Sequence, residues 1–260
     1  VVGIVCYDMS GELLFQLNAR GQGPGEYTDI NAFAVNASLH QLVIYDNMKQ
    51  SLMFYSTEDG RFVKSEKFNK PTPAEIAYWG GYFFYHNRLH RNYQDDISLH
   101  YYLLASKDGI TIGKRYFKHE NNKEDYPFSP SGHNLYDNNS KLYYCRDFDN
   151  IVYQIHEDSV VPRFRINLPN PLPASMIEER PNEMSLLRSG YSLGITDIYE
   201  YGGLLFFRFV KDGYIWSCLY NVEESKQVYC AKRIKFLDSS LIDTIDGIYK
   251  DCFYSILTPE

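Results

Sequence analysis

The chain has 260 residues, of which 44% are hydrophobic and 16% aromatic, and its formal net charge is −7. This length is enough to bury roughly 70–75% of the surface that the unfolded chain exposes, so it suits one large domain. A nucleic-acid partner is not expected, because such a partner normally requires a basic stripe and none is present. No apolar run of roughly 18 residues occurs, so no transmembrane segment is predicted.

Turn signals recur at a fixed distance along the chain. Gly11, Gly60 and Gly109 lie 49 residues apart, and Glu157–Asp158 marks the next expected point without a glycine. A short aromatic segment precedes each turn and a second strand-like segment follows it. A hairpin repeated at about this period indicates an array of similar supersecondary units.

Two further strands fit into each period, and no amphipathic helix of about 12 residues separates them. The four whole periods read INAFAV, QLVIYD, SLMFYS, RFVKSEKF; AEIAYW, YFFYH, HYYLLAS, ITIGKRYF; HNLYD, KLYYCRD, IVYQIH, VVPRFRINL; and ITDIYEY, LLFFRFV, YIWSCLY, QVYCAKRIKF. The head, VVGIVCYD with ELLFQL, is typical of the closing half of another period. The tail, GIYKDCFYSIL, is typical of the opening of a fifth.

This pattern predicts an all-β fold, a β-propeller of four-stranded antiparallel blades. We expect six blades, of which the chain covers five to six, and a single domain over residues 1–260 that is truncated at one or both ends. A four-stranded sheet cannot cover its own apolar faces, whereas stacked neighbours can. A β-sandwich is the structural alternative.

A glycine-rich segment, RGQGPGEY, joins the segment ELLFQL to INAFAV. Its spacing matches neither dinucleotide nor mononucleotide phosphate-loop patterns, and no helix follows it. Glycine permits positive φ and proline stiffens the chain, so the segment suits a sharp turn between blades. We predict a structural corner, with a ligand loop as the alternative, formed by Gly21, Gly23, Pro24, Gly25, Glu26 and Tyr27.

The corner and the following LVIYDNMKQSLMFYSTEDGRFV resemble the six-bladed β-propeller family abundant in Bacteroides-type gut bacteria, which is similar to NHL-repeat propellers. The match is specific over Val1–Phe68 and weakens afterwards to the blade pattern. The resemblance implies an exported protein in the periplasm or at the outer-membrane surface, anchored through a lipoprotein leader that is removed from this chain. It implies no catalytic constellation.

The links between strands differ greatly in length. The long ones are His86–His100, Lys118–Gly132 and Pro169–Ser192. In a propeller these links leave the same face, and long loops on a rigid scaffold often carry binding. We predict ligand-binding contacts on this face from Asp46, His86, Arg88, His90, Tyr93, Asp95, Arg146 and Asp147. Simple turn chemistry or a solvated loop is the alternative interpretation of these residues.

Metals and cofactors are not predicted. His86 and His90 stand four apart, which would suit two ligands on a helix, but no helical pattern surrounds them. Asp95 and Asp96 alone supply too few oxygens for calcium.

Five cysteines are present, and none lies in a C-x-x-C motif. If YIWSCLY and QVYCAKRI form a hairpin, Cys218 and Cys230 lie roughly opposite each other. A disulfide in an oxidising compartment and a pair of buried thiols both remain open.

The sequence favours a non-enzymatic binding or interaction propeller over an enzyme. Nucleophile-elbow, zinc-protease and serine–lysine motifs are all absent. The expected partner is a small molecule, a glycan or a protein, in outer-membrane glycan or nutrient uptake. The alternatives are a hydrolase or lyase at the rim of the central channel, and a purely structural scaffold.

Overall fold

The structure is a computed structural model of the chain. The chain folds into two compact units. The first unit is Val1–Asp125 and the second unit is Tyr126–Glu260. The structure describes residues 3–8, 10–68, 72–87, 100–119, 132–138, 140–179, 181–232, 234–235, 241–242, 245, 247–249 and 252–254.

The first unit contains one hairpin and two four-stranded antiparallel sheets. The hairpin pairs β1 (Ile4–Tyr7) with β2 (Leu13–Leu17). The first sheet comprises, in order, β3 (Ala32–Asn36), β4 (Gln41–Asp46), β5 (Ser51–Ser56) and β6 (Phe62–Lys67). The second comprises β7 (Pro73–Trp79), β8 (Tyr82–Asn87), β9 (Tyr101–Ser106) and β10 (Lys114–Lys118). Within each of these sheets, every described strand pairs with the strand that precedes or follows it in the chain.

The second unit repeats this arrangement. One sheet comprises β11 (Leu135–Asn138), β12 (Lys141–Cys145), β13 (Ile151–Ile155) and β14 (Val160–Arg165). Two short helices follow, α1 (Ala174–Glu178) and α2 (Glu183–Leu187). The next sheet comprises β15 (Ser192–Tyr201), β16 (Leu204–Lys211), β17 (Tyr214–Asn221) and β18 (Lys226–Ala231). Two hairpins complete the unit, formed by β19 (Ile234–Lys235), β20 (Leu241–Ile242), β21 (Gly247–Tyr249) and β22 (Cys252–Tyr254).

Aromatic side chains fill the space between the two sheets of the first unit. The ring centroids of Tyr45 and Phe68 lie 5.8 Å apart, and those of Phe68 and Tyr85 lie 5.0 Å apart. All three side chains are buried. Burying each contributes about 1.5–3 kcal/mol. This packing of one sheet face on the next is the interaction that makes a blade stable beside its neighbour.

In the second unit a buried amide joins the two sheets. Asn138 Nδ2 donates to the carbonyl of Ile198 at 3.0 Å, and its Oδ1 accepts from the Glu200 amide at 2.7 Å. Asn138 ends β11, whereas Ile198 and Glu200 belong to β15. The first strands of the two sheets, β11 and β15, are thus joined by hydrogen bonds from one side chain to the backbone of the other strand.

These observations confirm the predicted fold class, an all-β propeller of four-stranded antiparallel blades. The sandwich alternative is wrong, because the described residues form four separate four-stranded sheets, each built from consecutive strands, beside three two-stranded hairpins. The head and tail form hairpins, as predicted for partial blades. The six-blade count and the single domain over residues 1–260 stay predictions. In the described part of the chain, no helix has the length and apolarity needed to cross a bilayer.

The question left open about Cys218 and Cys230 has a definite answer in the structure. The two residues face each other on β17 and β18, and their sulfurs form a disulfide. The bond closes a loop with a sequence separation of 12. Such a crosslink restricts the unfolded chain and indicates an oxidising environment.

Breaking this disulfide is expected to cost about 2–3 kcal/mol and to lower the melting temperature by roughly 4–9 °C, through the loop entropy that the unfolded chain regains. Thermal melts with and without dithiothreitol measure the effect. A Cys218→Ala/Cys230→Ala variant should melt like the reduced protein. Cys252→Ser, which alters an exposed free thiol, is the control and should melt like the wild type. An unchanged melt under reduction would contradict the expectation.

Candidate functional site

The glycine corner, Gly21–Tyr27, is held by its own backbone and by Glu26. The Glu26 carboxylate accepts from the Gly23 amide at 2.7 Å. Gly25 has a φ of +75°, and a Cβ there would lie 2.9 Å from Phe62 Cγ. The buried Tyr27 hydroxyl donates to the Leu17 carbonyl at 3.2 Å. These contacts support the structural interpretation of the corner.

Asp46 ends β4 and anchors the residue that follows the corner. Its carboxylate accepts from the Thr28 amide at 2.6 Å, from the Thr28 hydroxyl at 2.7 Å and from the Lys49 amide at 2.9 Å. Burial alone would raise the pKa of Asp46, but the amides of Thr28 and Lys49 outweigh it and hold the pKa below its usual range. The side chain is fully buried, so its oxygens serve the fold.

His86 lies near the end of β8 and is also buried. Its neighbour Asn87 donates from Nδ2 to the Tyr101 carbonyl at 3.3 Å, which ties the end of β8 to β9. The other predicted contacts of this link, Arg88, His90, Tyr93 and Asp95, lie outside the described residues.

Arg146 and Asp147 lie together in the turn between β12 and β13 of the second unit, whereas Asp46 and His86 belong to the first. Arg146 donates from Nε and Nη2 to Asp149 Oδ2 at 3.0 and 2.6 Å. Its guanidinium also lies 5.9 Å from the centre of the Tyr153 ring. Asp147 Oδ1 accepts from Asn134 Nδ2 at 3.2 Å.

The Arg146–Asp149 pair fixes the charge at this turn. Burial would lower the pKa of Arg146, but the Asp149 carboxylate outweighs it and raises that pKa. The guanidinium therefore stays protonated at any physiological pH. The neighbouring Cys145 is buried, and burial raises the pKa of its thiol, which favours the neutral form.

Phe148 and Asp149 are not among the site residues predicted from the sequence. Phe148 has a φ of +59°, which is unusual for a bulky residue. The backbone of Gly194 in β15 packs closely against Phe148. A Cβ on Gly194 would lie only 2.8 Å from Phe148 Cα. A glycine inside a strand pattern often marks such a close backbone approach, so Gly194 was the available signal.

Hydrogen bonds join the two ends of the link from β14 to β15. Ser192 donates from its amide to the Asn170 carbonyl at 2.8 Å, and Leu172 donates to the Ser192 carbonyl at 3.1 Å. Asn170 Nδ2 donates to the Gly190 carbonyl at 2.9 Å. The short helix α1, Ala174–Glu178, lies within this link.

An apolar cluster packs this link onto the turn that carries Arg146. Leu186 of α2 is buried with Leu193 and Val210, and Phe148 and Leu187 pack against them. The turn 146–149 and the described residues of the link, 170–179 and 181–191, therefore form one continuous surface, named here the long-link surface. Both links leave the same edge of the sheet, because β11 to β14 are consecutive and antiparallel.

Among the residues that the structure describes, no group of three His, Cys, Asp or Glu side chains is arranged to hold a metal ion. One carboxylate of the long-link surface, Asp149, serves its own turn. Asp149 Oδ1 accepts from the Ile151 amide at 3.1 Å while its Oδ2 binds Arg146. This surface offers a guanidinium, aromatic rings, backbone groups and the exposed side chains of Glu179 and Glu183.

Two solved structures of Bacteroides proteins are similar to this one. A protein of Bacteroides fragilis NCTC 9343 that is considered exported shares 17% identity at a TM-score of 0.72, with 88% of this chain and 65% of that chain covered. A member of the DUF4221 family from Bacteroides vulgatus ATCC 8482 shares 11% identity at a TM-score of 0.56, with 88% and 74% covered. At these identities the likeness shows the fold alone. The chain spans about 65% of the length of the B. fragilis protein.

No curated protein matches the chain. A family profile, described as a domain of unknown function (DUF4934), matches residues 2–260. That match spans nearly all of the sequence, from the first partial hairpin to the last. The chain therefore belongs to the DUF4934 family.

Proposed function

We infer that this chain is a non-enzymatic binding module of an exported protein and that the long-link surface takes its ligand or partner. The observation that carries this proposal is the left-handed backbone of Phe148, held against Gly194 in a turn where Arg146 also donates twice to one oxygen of Asp149. Unfavourable backbone conformations persist where surrounding structure enforces them, and they cluster at binding sites.

The scaffold under this surface is rigid. β12 and β13 are the central strands of their sheet, and each pairs on both sides. The turn between them is fixed at Arg146 by Asp149 and at Asp149 by the Ile151 amide. A preformed surface loses little entropy on binding, which favours recognition of a specific partner.

The exposed chemistry suits a polar partner with apolar patches. The Arg146 side chain is 34% exposed, and Tyr191 and Phe148 are half-buried. Met184 of α2 is 53% exposed. Guanidinium and aromatic groups are enriched at binding hot spots and also suit the hydroxyls and faces of sugars. A glycan or a protein partner fits this combination better than an apolar small molecule.

The proposed location is the periplasm or the outer-membrane surface, with anchoring through a lipoprotein leader and a role in glycan or nutrient uptake. The Cys218–Cys230 disulfide supports an oxidising compartment. The similarity to a Bacteroides protein that is considered exported also supports the proposed location. We also propose that the chain is part of a six-bladed NHL-like propeller that carries the corner motif.

A thermal-shift screen of glycans, peptides and divalent metals tests the binding role. A compound that raises the melting temperature of the wild type should lose most of that shift in Arg146→Gln, because the variant removes the guanidinium from the surface. The matched control is Arg61→Gln, which alters an exposed ion pair with Asp59 on a short turn of the first unit. Each variant's own melting temperature without ligand is the reference. Equal shifts in both variants would place the site elsewhere.

A further inference from the structure

A cleft in the first unit lies at the sheet edge opposite the long links. It is lined by Tyr82, Lys107, Asp108, Thr111, Gly113 and Lys114 and has a volume of about 300 Å³. Tyr82 begins β8 directly after a two-glycine turn, Lys107 follows β9 and Lys114 begins β10. These residues are named here the lysine cleft. Nothing in the proposed binding role uses them.

Strand register explains why the two lysines meet over one ring. Phe84 pairs with Ala105, and Ala105 pairs with Lys114, so all three lie on one face of the sheet. Tyr82 and Lys107 lie two residues beyond Phe84 and Ala105 and share that face. The Lys114 ammonium lies 4.4 Å from the Tyr82 ring centre, and the Lys107 ammonium lies 5.2 Å from it.

The one carboxylate of the cleft is already committed to its turn. Asp108 accepts from the Ile110 amide at 2.8 Å, from the Thr111 amide at 2.7 Å and from the hydroxyls of Ser106 and Thr111 at 2.8 Å each. Among the described residues, no carboxylate forms an ion pair with Lys107. The cleft therefore contains two ammonium groups and one carboxylate, and the hydrogen bonds to Asp108 hold that carboxylate at its turn.

A comparison within the chain shows that this arrangement differs from an ordinary lysine on a ring. Lys64 also lies over an aromatic ring, 4.7 Å from the centre of Phe54. Its ammonium is paired with Glu66 at 2.5 Å. The lysine cleft has the same cation–aromatic contact with two cations and no such pair at Lys107.

We propose that the lysine cleft binds a small oxyanion, a carboxylate or phosphate group of a ligand about the size of a monosaccharide. The two ammonium groups hold the anionic group, while the Tyr82 ring fixes the ammonium groups by cation–π attraction. Gly113 keeps the cleft open, since it has no side chain and a Cβ there would meet only the Ala105 carbonyl, at 3.9 Å.

Isothermal titration of the whole chain with inorganic phosphate, with succinate and with uncharged succinamide tests this. At least one of the two anions should bind, succinamide should not, and added salt should weaken the binding. Phosphate without succinate indicates a phosphate ligand, and the reverse indicates a carboxylate. Lys107→Gln and Lys114→Gln should each weaken binding roughly tenfold.

Two further variants separate charge from shape. Gly113→Leu fills the cleft without changing its charge and should abolish binding. Lys64→Gln removes a cation over a ring outside the cleft and should leave binding unchanged. The proposal fails if neither anion binds at about 20 mM. It also fails if either lysine variant of the cleft binds as tightly as the wild type, because both ammonium groups are required.

Discussion

Asp46→Ala is expected to destabilise the protein by about 3–5 kcal/mol and to lower its melting temperature by roughly 8–15 °C. The carboxylate is fully buried and accepts from the Thr28 amide, the Thr28 hydroxyl and the Lys49 amide. Alanine leaves these donors without an acceptor, and a buried donor that loses its acceptor costs about 1–3 kcal/mol. Thermal and urea unfolding of the variant and wild type measure the loss.

Asp8→Ala is the matched control. Asp8 also accepts from two backbone amides, those of Ser10 and Glu12, but its turn is exposed. Water replaces the lost acceptor there, so the change should be far smaller. Asp46→Asn should fall between the two, because it keeps one carbonyl acceptor. Equal losses in Asp46→Ala and Asp8→Ala would show that burial of Asp46 carries no energetic weight.

Asp46 also predicts a pH dependence with a definite sign. Its pKa in the folded protein is below the usual range. Its stabilising contribution is therefore fully present above the ordinary carboxyl pKa of about 3.9, and it is lost as the pH falls through the folded value. The difference in stability between wild type and Asp46→Ala should be constant near neutrality and shrink in acid.

Glu200→Ala is expected to cost about 1–3 kcal/mol, because it leaves the buried Tyr143 hydroxyl without its acceptor, whereas Lys141 and Arg163 are 36% and 41% exposed and regain water. Glu200 accepts from Lys141 Nζ at 2.8 Å, from Arg163 Nη2 at 3.0 Å and from the Tyr143 hydroxyl. Tyr143 is fully buried. Burial raises the pKa of Glu200, but Lys141, Tyr143 and Arg163 outweigh it, and the pKa lies below its usual range. This contribution is likewise lost as the pH falls through the folded value.

A surface carboxylate and a double-mutant cycle test this assignment. Glu66→Ala breaks an exposed pair with Lys64 and should cost about 0–1 kcal/mol. Tyr143→Phe combined with Glu200→Ala should show a coupling of about 1–3 kcal/mol, because the two groups share a hydrogen bond. Additive effects of the two changes would contradict the network. Urea unfolding of the four proteins of the cycle gives the coupling energy.

The fold could be predicted largely because its signals are local. Gly11, Gly60 and Gly109, which set the period, all have φ values between +71° and +87°. A hairpin turn of that geometry requires glycine, so the turn spacing was readable in the sequence. The strands between them are short, aromatic and bounded by turns, which suffices to assign them.

The site could be predicted only in part, because side-chain partners depend on non-local packing. Asp46 was correctly placed at a strand end, yet β4 is buried along most of its length and shows no alternation that would reveal the direction of the carboxylate. The partners of Glu200 lie on β12 and β14, about 40 to 60 residues away in the chain. Nothing local marks the left-handed conformation of Phe148.

Hydrogen exchange with the tightest ligand from the thermal-shift screen measures whether binding occurs on the long-link surface. We expect slower exchange in peptides covering residues 146–150 and 170–191. We expect unchanged exchange at the opposite edge of the same sheets, in residues 156–159 and 222–225. Protection confined to that opposite edge, with residues 146–150 and 170–191 unaffected, would contradict binding on the long-link surface.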